Sequence, residues 1–263
     1  MGVVADLHVH TTVSDGRLSL RDVPAAARRA GVETVAITDH DRIHPELDAP
    51  VTVRDGVTVI RGIELQVETA TGRVDLLGYG VEETPELRAE LDRIQADRVS
   101  RAHRMTERIE TRLGVDLDVS FEPGVGRPHV ARAVDESDAD CDYDGAFDRL
   151  IGDDGPCYVS RAVPPVERGV TLLSTACSVV SLAHPFRYAD TEAALDLATG
   201  LDAVERYYPY DDPVDETRLD RVIEDHSLLA TGGSDAHDDR LGIAGLSTEA
   251  YGRIAARLPD AQG

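Results

Sequence analysis

Two histidines stand two positions apart in the stretch Asp6–Gly16, which reads DLHVHTTVSDG. Alternate residues of a β-strand point to the same face, so His8 and His10 would point the same way. Imidazole nitrogens suit a borderline divalent metal, whereas a purely structural strand would carry valine or isoleucine there. The stretch therefore predicts a metal site at the end of the first strand, with Asp15 in the loop beyond it.

Several other segments that are typical of strands also end in residues that bind metals. Any one of these residues alone is more readily explained as a surface or hydrogen-bonded polar group. Because sites in parallel α/β folds lie at the carboxyl ends of the strands, the whole set is expected to converge. So many ligands fit two or three divalent ions bridged by a carboxylate, for which Glu64 is the candidate. The candidate ligands are His8, His10, Asp15, His40, Glu64, Asp75, His184, Asp235 and His237.

The elements that must position these residues alternate between strand and helix. Short apolar segments at 3–10, 34–38, 57–65, 74–79, 179–183, 203–206 and 228–231 predict strands. Repeated strand–helix units predict a parallel sheet or barrel. The middle of the chain departs from this rhythm, with a long helical pattern at 85–113 and shorter ones near 127 and at 143–151. We predict a barrel domain of residues 1–84 and 161–263, and a helical insertion of residues 85–160.

Composition sets limits on the class of protein. The chain has 263 residues, 41% of them hydrophobic, and a net charge of −23 with no lysine among its 27 basic residues. The acidic excess favours adaptation to a high-salt cytoplasm, since salt screens self-repulsion; GC-rich codon usage would explain the missing lysine but not the excess of acids. This charge argues against a broad surface for long nucleic acid. The three cysteines have no metal-type spacing, and we expect a reducing, cytoplasmic location with no membrane span or leader peptide.

The motifs together resemble those of the PHP superfamily, named after polymerase and histidinol phosphatase. DLHVHTTVSDG, AITDHD, GIEL, AHP and GSDAH occur in the order typical of that family and extend over nearly the whole chain. The resemblance implies an α/β fold, a distorted (β/α)7 TIM-like barrel with a trinuclear metal site. LLGYG, GRPHVARA and VERYYPY are similar to motifs of the subgroup of nucleoside 3′,5′-bisphosphate phosphatases and ribonuclease AM-type 5′-to-3′ exoribonucleases, which carry a helical insertion.

The resemblance also implies how the ligands are divided among the ions. A first ion would be held by His8, His10, Glu64 and Asp235, a second by Asp15, His40 and His237, and a third by Glu64, Asp75 and His184. The family usually has histidine in place of Asp75. Aspartate is a harder ligand, so this departure would favour Mn²⁺, weaken the third site or leave it empty. We expect two to three divalent ions, Mn²⁺ first, with Zn²⁺ or Fe²⁺ as alternatives.

Arginine and histidine residues outside the ligand set are candidates for contacts with a phosphate. Metal ions at such a centre supply hydroxide at neutral pH and neutralise charge on the attacked phosphate. The resemblance places GRPH beside the site, so Arg127 is the candidate clamp for phosphate. His129 is either a proton donor or phosphate contact, or a residue that caps the helix that begins there. Arg187 either reaches the substrate or lies on the surface.

The long helix carries seven arginines, of which Arg101, Arg104 and Arg108 share a face by helical spacing. This face would be a track for a nucleotide tail or, as nearby acidic residues favour, a solvated surface. The tyrosines of 207–210 could stack a base, although tyrosines after a strand more often pack against a barrel rim.

We therefore predict a metal-dependent phosphoesterase that hydrolyses phosphate esters of small nucleotides or short oligonucleotides with metal-activated hydroxide. Nucleoside 3′,5′-bisphosphates and 5′-phosphorylated short RNA are the expected substrates. A histidinol-phosphate-type phosphatase is the first alternative, and a non-catalytic metal-binding module that serves a partner is the second.

Overall fold

The computed structural model describes residues 2–262, which form eight strands and eight α-helices. The strands are β1 (Ala5–Val9), β2 (Thr34–Ile37), β3 (Val51–Arg54), β4 (Val57–Thr69), β5 (Gly72–Tyr79), β6 (Val179–Leu182), β7 (Ala203–Tyr207) and β8 (Leu229–Gly232). The helices are α1 (Val23–Ala30), α2 (Pro85–Leu113), α3 (Arg127–Asp135), α4 (Tyr143–Ala146), α5 (Val166–Ala176), α6 (Thr191–Ala198), α7 (Thr217–His226) and α8 (Thr248–Ala255). Each of these helices is too short or too polar to serve as a membrane span.

The chain divides into two compact units. The barrel unit extends to Arg88 and resumes at Pro164, and the helical unit is Ala89–Val163. The helical unit has its own apolar core, in which Met105 and Ile109 of α2 and Val130 and Val134 of α3 are completely buried.

One curled sheet positions the candidate ligands in the barrel unit. Seven strands follow the order β1-β2-β4-β5-β6-β7-β8, and β3 pairs with β4 beside this path. Beyond β8 the chain returns to β1, where the His10 N–H donates to the carbonyl of Ala236 at 3.0 Å and the Ala236 N–H donates to the carbonyl of His8 at 3.3 Å. The first and last strands are thus brought together, which confirms the predicted distorted barrel.

The sheet differs from the predicted one in two places. Strand β3 was not predicted, although its sequence, VTVR, is rich in β-branched residues and is followed by an Asp-Gly turn into β4. Strand β5 is antiparallel to both of its neighbours, β4 and β6, where a parallel sheet was expected. Two residues connect β4 to β5, which is too short for a parallel crossover but sufficient for a hairpin. Gly72, with φ of 138°, begins β5 in a conformation that favours glycine.

Asp6 holds the last loop of the barrel against the first strand. It is completely buried on β1, on the same face as His8. Its carboxylate accepts hydrogen bonds from the N–H of Ser234 at 2.9 Å, the hydroxyl of Ser234 at 2.6 Å and the N–H of Gly242 at 2.8 Å. At Gly233 a β-carbon would collide with the backbone nitrogen of His8, so only glycine allows the two segments to lie this close.

Candidate metal centre

The two histidines of β1 lie side by side and are completely buried. Nε2 of His8 is 3.4 Å from Oδ1 of Asp235, and Nε2 of His10 is 3.1 Å from the same oxygen. The strand alternation places both rings on one face, as predicted. Within residues 2–262, neither Nε2 of His8 nor Nδ1 of His10 has a hydrogen-bond partner. Buried ring nitrogens without partners are costly unless a ligand satisfies them.

Glu64 lies at the centre of the cluster and is 1% exposed. Its Oε1 is 3.4 Å from Nε2 of His8 and 3.1 Å from Nε2 of His184. Its Oε2 is 3.4 Å from Nε2 of His10 and 2.7 Å from Nδ1 of His40. One carboxylate therefore contacts four histidines from three segments, the arrangement expected of a bridging ligand.

The ligating atoms fall into three overlapping groups, each compact enough for one ion. They are His8, His10 and Asp235; His10, Asp15, His40 and His237; and His8, Glu64 and His184. Eight of the nine sequence-predicted ligands are thus brought together in these groups. His10 contributes to two of the groups and His8 to two, which the sequence did not indicate.

Asp75 lies at the edge of the third group and outside its compact core. Its Oδ2 is 4.0 Å from Nε2 of His184, while its Oδ1 accepts a hydrogen bond from Nε2 of Gln66 at 3.0 Å. Burial, and then the negative charge of Glu64, raise the pKa of Asp75. The aspartate, which is shorter than the histidine usual at this position in the family, therefore approaches the third group with one carboxylate oxygen. Its other oxygen is held by Gln66.

Glu205 holds two of the candidate ligands, His8 and His184, and was not predicted from the sequence. It is completely buried on β7, with Oε1 3.1 Å from Nδ1 of His8. A carboxylate only accepts, so Nδ1 carries a proton, and in the neutral ring that binds a metal the lone pair is on Nε2, the nitrogen directed at the cluster. Oε2 of Glu205 accepts the backbone N–H of His184 at 2.8 Å. A glutamate within the apolar strand segment AVERY was the available sequence signal.

Two candidate ligands are held in an unusual backbone conformation. His184 has φ of 24° and Asp235 has φ of 51°, both in the left-handed region. Such strain costs about 1–3 kcal/mol per residue and persists only where neighbouring contacts impose it. For His184 the hydrogen bond to Glu205 is one such contact.

Charges of both signs perturb the centre. Burial lowers the pKa of His8, but the carboxylates of Glu205, Asp235 and Glu64 outweigh it and raise this pKa well above its usual value. Burial likewise raises the pKa of Glu64, but His40 and His8 outweigh it and hold this pKa well below its usual value. Burial, and then His40 and His237, lower the pKa of His10. Buried anions and unpartnered imidazole nitrogens in contact fit divalent cations, which supply the missing charge and bind both ligand types.

The rim of the centre carries a cation and a phenol. Nη1 of Arg187 donates to Oδ2 of Asp235 at 3.1 Å and to the hydroxyl of Tyr208 at 3.0 Å. The Tyr208 hydroxyl itself donates to Oδ2 of Asp235 at 2.9 Å. Arg187 was expected either to reach the substrate or to lie on the surface. Its side chain is half exposed and also contacts a candidate ligand, so it lies at the surface of the centre itself.

Gly16 packs against the backbone of His10. A β-carbon at position 16 would collide with the carbonyl of His10, so this close approach requires glycine.

The GRPH segment belongs to the helical unit. Arg127 begins α3 and pairs with Asp153, its Nη1 lying 2.7 Å from Oδ1. Nδ1 of His129 accepts the backbone N–H of Gly126 at 3.2 Å and so caps the amino end of α3. The capping expectation for His129 is therefore met, and a role of either residue in catalysis stays a prediction.

Comparison with known proteins identifies the family. The PHP domain matches residues 6–196. The chain belongs to the PHP domain family. It is 30% identical over 252 residues to phosphoribosyl 1,2-cyclic phosphate 1,2-diphosphodiesterase of Eggerthella lenta, covering 89% of this chain and 94% of the relative. It is 27% identical to 3′,5′-nucleoside bisphosphate phosphatase of Chromobacterium violaceum, covering 88% and 86%.

Two further similarities concern an exoribonuclease and, for the fold alone, a solved structure. The 5′-3′ exoribonuclease Rnm of Escherichia coli is 27% identical, covering 89% of this chain and 85% of that one. A structure from Bifidobacterium adolescentis, assigned as a metal-dependent phosphoesterase, shares the fold with a TM-score of 0.80 at 23% identity, covering 99% and 98%. The named relatives are phosphatases, phosphodiesterases and exonucleases, so the PHP chain described here is a hydrolase of phosphate esters, as the sequence predicted.

Proposed function

We propose that this PHP phosphoesterase hydrolyses phosphate esters on the ribose of small nucleotides, with nucleoside 3′,5′-bisphosphates and 5′-phosphorylated short RNA as substrates. The observation that carries the proposal is Glu64, a buried carboxylate in contact with four histidines within three overlapping ligand groups. The names of the relatives support the substrate class, since all of those compared act on phosphate esters of ribose or RNA.

The residues that would hold the ions follow from the three groups. His8, His10 and Asp235 would hold one ion, His10, Asp15, His40 and His237 a second, and His8, Glu64 and His184 a third, with Asp75 beside this last group. When bound, divalent ions such as Mn²⁺ lower the pKa of coordinated water and neutralise charge on the phosphate oxygens. The donor set of imidazoles and carboxylates suits Mn²⁺, Zn²⁺ or Fe²⁺.

The residues of the chain orient the reaction in this proposal. Glu205 fixes the tautomer of His8 and the backbone of His184, so that both rings keep their ligating nitrogens directed inward. Arg187 carries a guanidinium beside Asp235 that can bind a phosphate oxygen through its second amino group. The hydroxyl of Tyr208, hydrogen-bonded to Asp235 and Arg187, would hold a proton at the rim of the centre.

A product-release panel read by chromatography tests the proposal, because the monoesters would release inorganic phosphate, whereas short RNA would release mononucleotides and a cyclic phosphate would open to a monoester. The metal-loaded enzyme is assayed in high salt with adenosine 3′,5′-bisphosphate, a 5′-phosphorylated short RNA, a phosphoribosyl cyclic phosphate and histidinol phosphate. We expect the two nucleotide substrates to give the highest kcat/KM. The matched control is the double variant His8→Ala/His10→Ala, which should lose activity on all four.

The competing activities would produce different results. A preference for histidinol phosphate would replace the proposed substrate class with the first alternative. Release no faster than that of the double variant on every substrate would reject the enzymatic proposal.

A further inference from the structure

Asp39 is a buried carboxylate beside the metal centre, and the three ligand groups formed by the described residues do not include it. It lies two residues beyond the end of β2, directly before the candidate ligand His40, and is completely buried. A buried carboxylate is costly unless it is hydrogen-bonded, so the groups that satisfy its two oxygens indicate its role.

The carboxylate of Asp39 holds the loop that follows β1. Its Oδ1 accepts the backbone N–H of Thr11 at 2.8 Å and the hydroxyl of Ser14 at 2.6 Å, and its Oδ2 accepts the hydroxyl of Thr11 at 2.8 Å. Thr11 and Ser14 are buried as well. Hydrogen bonds to an ionised acceptor are about twice as strong as those between neutral groups, so these three bonds anchor the loop firmly at two points.

The anchored loop is a tight turn around Asp15. The carbonyl of Thr11 accepts the N–H of Ser14 at 3.1 Å and the N–H of Gly16 at 3.0 Å. Asp15 therefore lies between two residues whose backbone is fixed, and the one before it is also held by Asp39 through its hydroxyl. The direction of the Asp15 side chain is thus set by a turn that Asp39 anchors.

Asp15 reaches the second ligand group from this loop and not from a strand. Its Oδ1 lies 3.3 Å from Nε2 of His237, and its Oδ2 lies 3.8 Å from Nε2 of His40. A carboxylate oxygen binds an ion such as Zn²⁺ at about 2.0–2.2 Å, so a loop displaced by about 1 Å would lose the contact. The second group therefore depends on whatever holds the loop.

The backbone around Asp39 also fixes the candidate bridging ligand. The N–H of Glu64 donates to the carbonyl of Asp39 at 3.2 Å, and the N–H of Asp41 donates to the carbonyl of Glu64 at 2.7 Å. Asp39 thus connects three segments that supply candidate ligands: the loop of Asp15 through its carboxylate, β4 through its carbonyl, and His40 through the chain itself.

We infer that Asp39 is a positioning residue of the metal centre, which holds Asp15 in place for the second ion without binding an ion itself. The affinity of the second ion then depends on the carboxylate of Asp39. The other two groups contain no residue of the loop and keep their affinities. The inference rests on the ligand groups of the proposed function, but not on its substrates.

Metal binding measured without substrate tests this role. Asp39→Ala removes all three hydrogen bonds, whereas Asp39→Asn keeps one oxygen that can accept them. Equilibrium dialysis against graded Mn²⁺, followed by metal analysis, gives the number of bound ions and their affinities. We expect the Kd of one ion per chain to rise about 10–100-fold in Asp39→Ala and by a smaller factor in Asp39→Asn, while the other ions bind as before.

Variants of a second residue distinguish positioning from a general loss of stability. Ser14→Ala removes one hydroxyl that Asp39 accepts and should weaken the same ion. In Asp39→Ala/Ser14→Ala the two losses should be less than additive, because both residues act through one contact. The matched control Ser181→Ala removes another completely buried hydroxyl of the barrel unit, 2.8 Å from that of Thr231, and should leave metal binding unchanged.

The possible outcomes separate this inference from the proposed reaction. Circular dichroism reports folding, and if Asp39→Ala does not fold, Asp39→Asn and Ser14→Ala decide. Unchanged affinity of every ion in the folded variants, equal weakening of all ions, or the same loss in Ser181→Ala would overturn the inference. A protein whose second ion depends on Asp39 but which releases no product would refute the proposed reaction alone.

Discussion

The metal centre and the arginine group around Arg101 in the helical unit are charge clusters of opposite sign. In the barrel unit, the carboxylates Glu64 and Asp235 lie among histidines with unsatisfied ring nitrogens. In the helical unit, Arg101 is 6% exposed, so the interpretation of its face as a solvated surface is wrong for this residue. It has no carboxylate partner within residues 2–262, and Arg127 and Arg161, the other members of the group, add positive charge beside it. Each cluster has donors or acceptors that the protein itself does not satisfy. The comparison teaches that an unbalanced buried charge indicates the sign of the ligand: cationic for the first cluster, anionic for the second.

Removal of divalent ions is expected to give the largest difference between the two clusters. Chelation should abolish phosphate release and lower the melting temperature, because bound ions stabilise the folded state by about 4 kcal/mol at a thousandfold excess over Kd. Phosphate binding at the arginine group should be unchanged. Activity assays, thermal melts and calorimetry before and after chelation measure the three quantities, and return of activity with Mn²⁺ is the control. Loss of phosphate binding on chelation would contradict the separation of the two clusters.

Substitution Glu205→Gln is expected to weaken the metal centre alone. The amide keeps the volume but lacks the charge that orients His8, so metal affinity should fall about 10–100-fold. Competition with a metal-sensitive dye measures this affinity. The control Glu192→Gln changes an exposed carboxylate on α6 that pairs with Arg218 and should have no effect. Unchanged metal affinity in a folded Glu205→Gln variant would remove Glu205 from the support of the centre.

Substitution Asp75→His tests the edge of the third ligand group. A longer imidazole should reach the ion that aspartate, held by Gln66, approaches with one oxygen. We expect the number of ions bound per chain to rise or the weakest ion to bind several-fold more tightly, a gain of about 1 kcal/mol. Metal analysis after dialysis against graded metal concentrations measures this, with Asp75→Asn as the control that removes charge without adding reach. No change in the weakest site would mean that Asp75 already ligates fully.

The smallest expected effects compare the stabilities of the two units. Asp190 caps α6 in the barrel unit by accepting the N–H of Ala193, and Asp142 caps α4 in the helical unit by accepting the N–H of Gly145. Each alanine substitution should lower the free energy of unfolding by about 1 kcal/mol. Hydrogen exchange should locate the loss in the unit that carries the change, with exposed Asp211→Ala as the control. Equal loss of protection in both units would show that they unfold as one.

Most of the fold could be predicted because the strands that form it are short, apolar and separated by clear helical patterns. Helix α2 has the predicted bounds, since Pro85 can begin a helix and Gly114, with φ of 69°, ends one. The direction of β5 could not be predicted, because it depends on the two-residue connection to β4 and not on the apolar pattern. Strand β3 carried a signal that was not used: Val51, Thr52 and Val53 favour a strand, and Asp55-Gly56, both with positive φ, form a two-residue turn into β4.

The metal ligands could be predicted because strand periodicity and residue type agree at the strand ends. Periodicity could not, however, separate residues that would bind metal from neighbouring residues that hold a loop in place. Asp39, one residue before His40, accepts hydrogen bonds from the N–H of Thr11 and the hydroxyl of Ser14 and so holds a loop. The burial of Arg101 could not be predicted either. It depends on the segment around Tyr158, which lies 57 residues later and carries no recognisable motif.

The return of the chain from β8 to β1 has a consequence for biosynthesis. Asp235 and His237 follow His8 and His10 by about 227 residues, so they leave the ribosome much later. Ala236, between Asp235 and His237, hydrogen-bonds with the backbone of His8 and His10 and so helps to bring these ligands into overlapping groups. The centre can therefore assemble only after synthesis reaches residue 237 and the first and last strands have paired. Uptake of metal by the complete centre must therefore wait for residue 237, and a chain truncated before Asp235 would lack two of the candidate ligands.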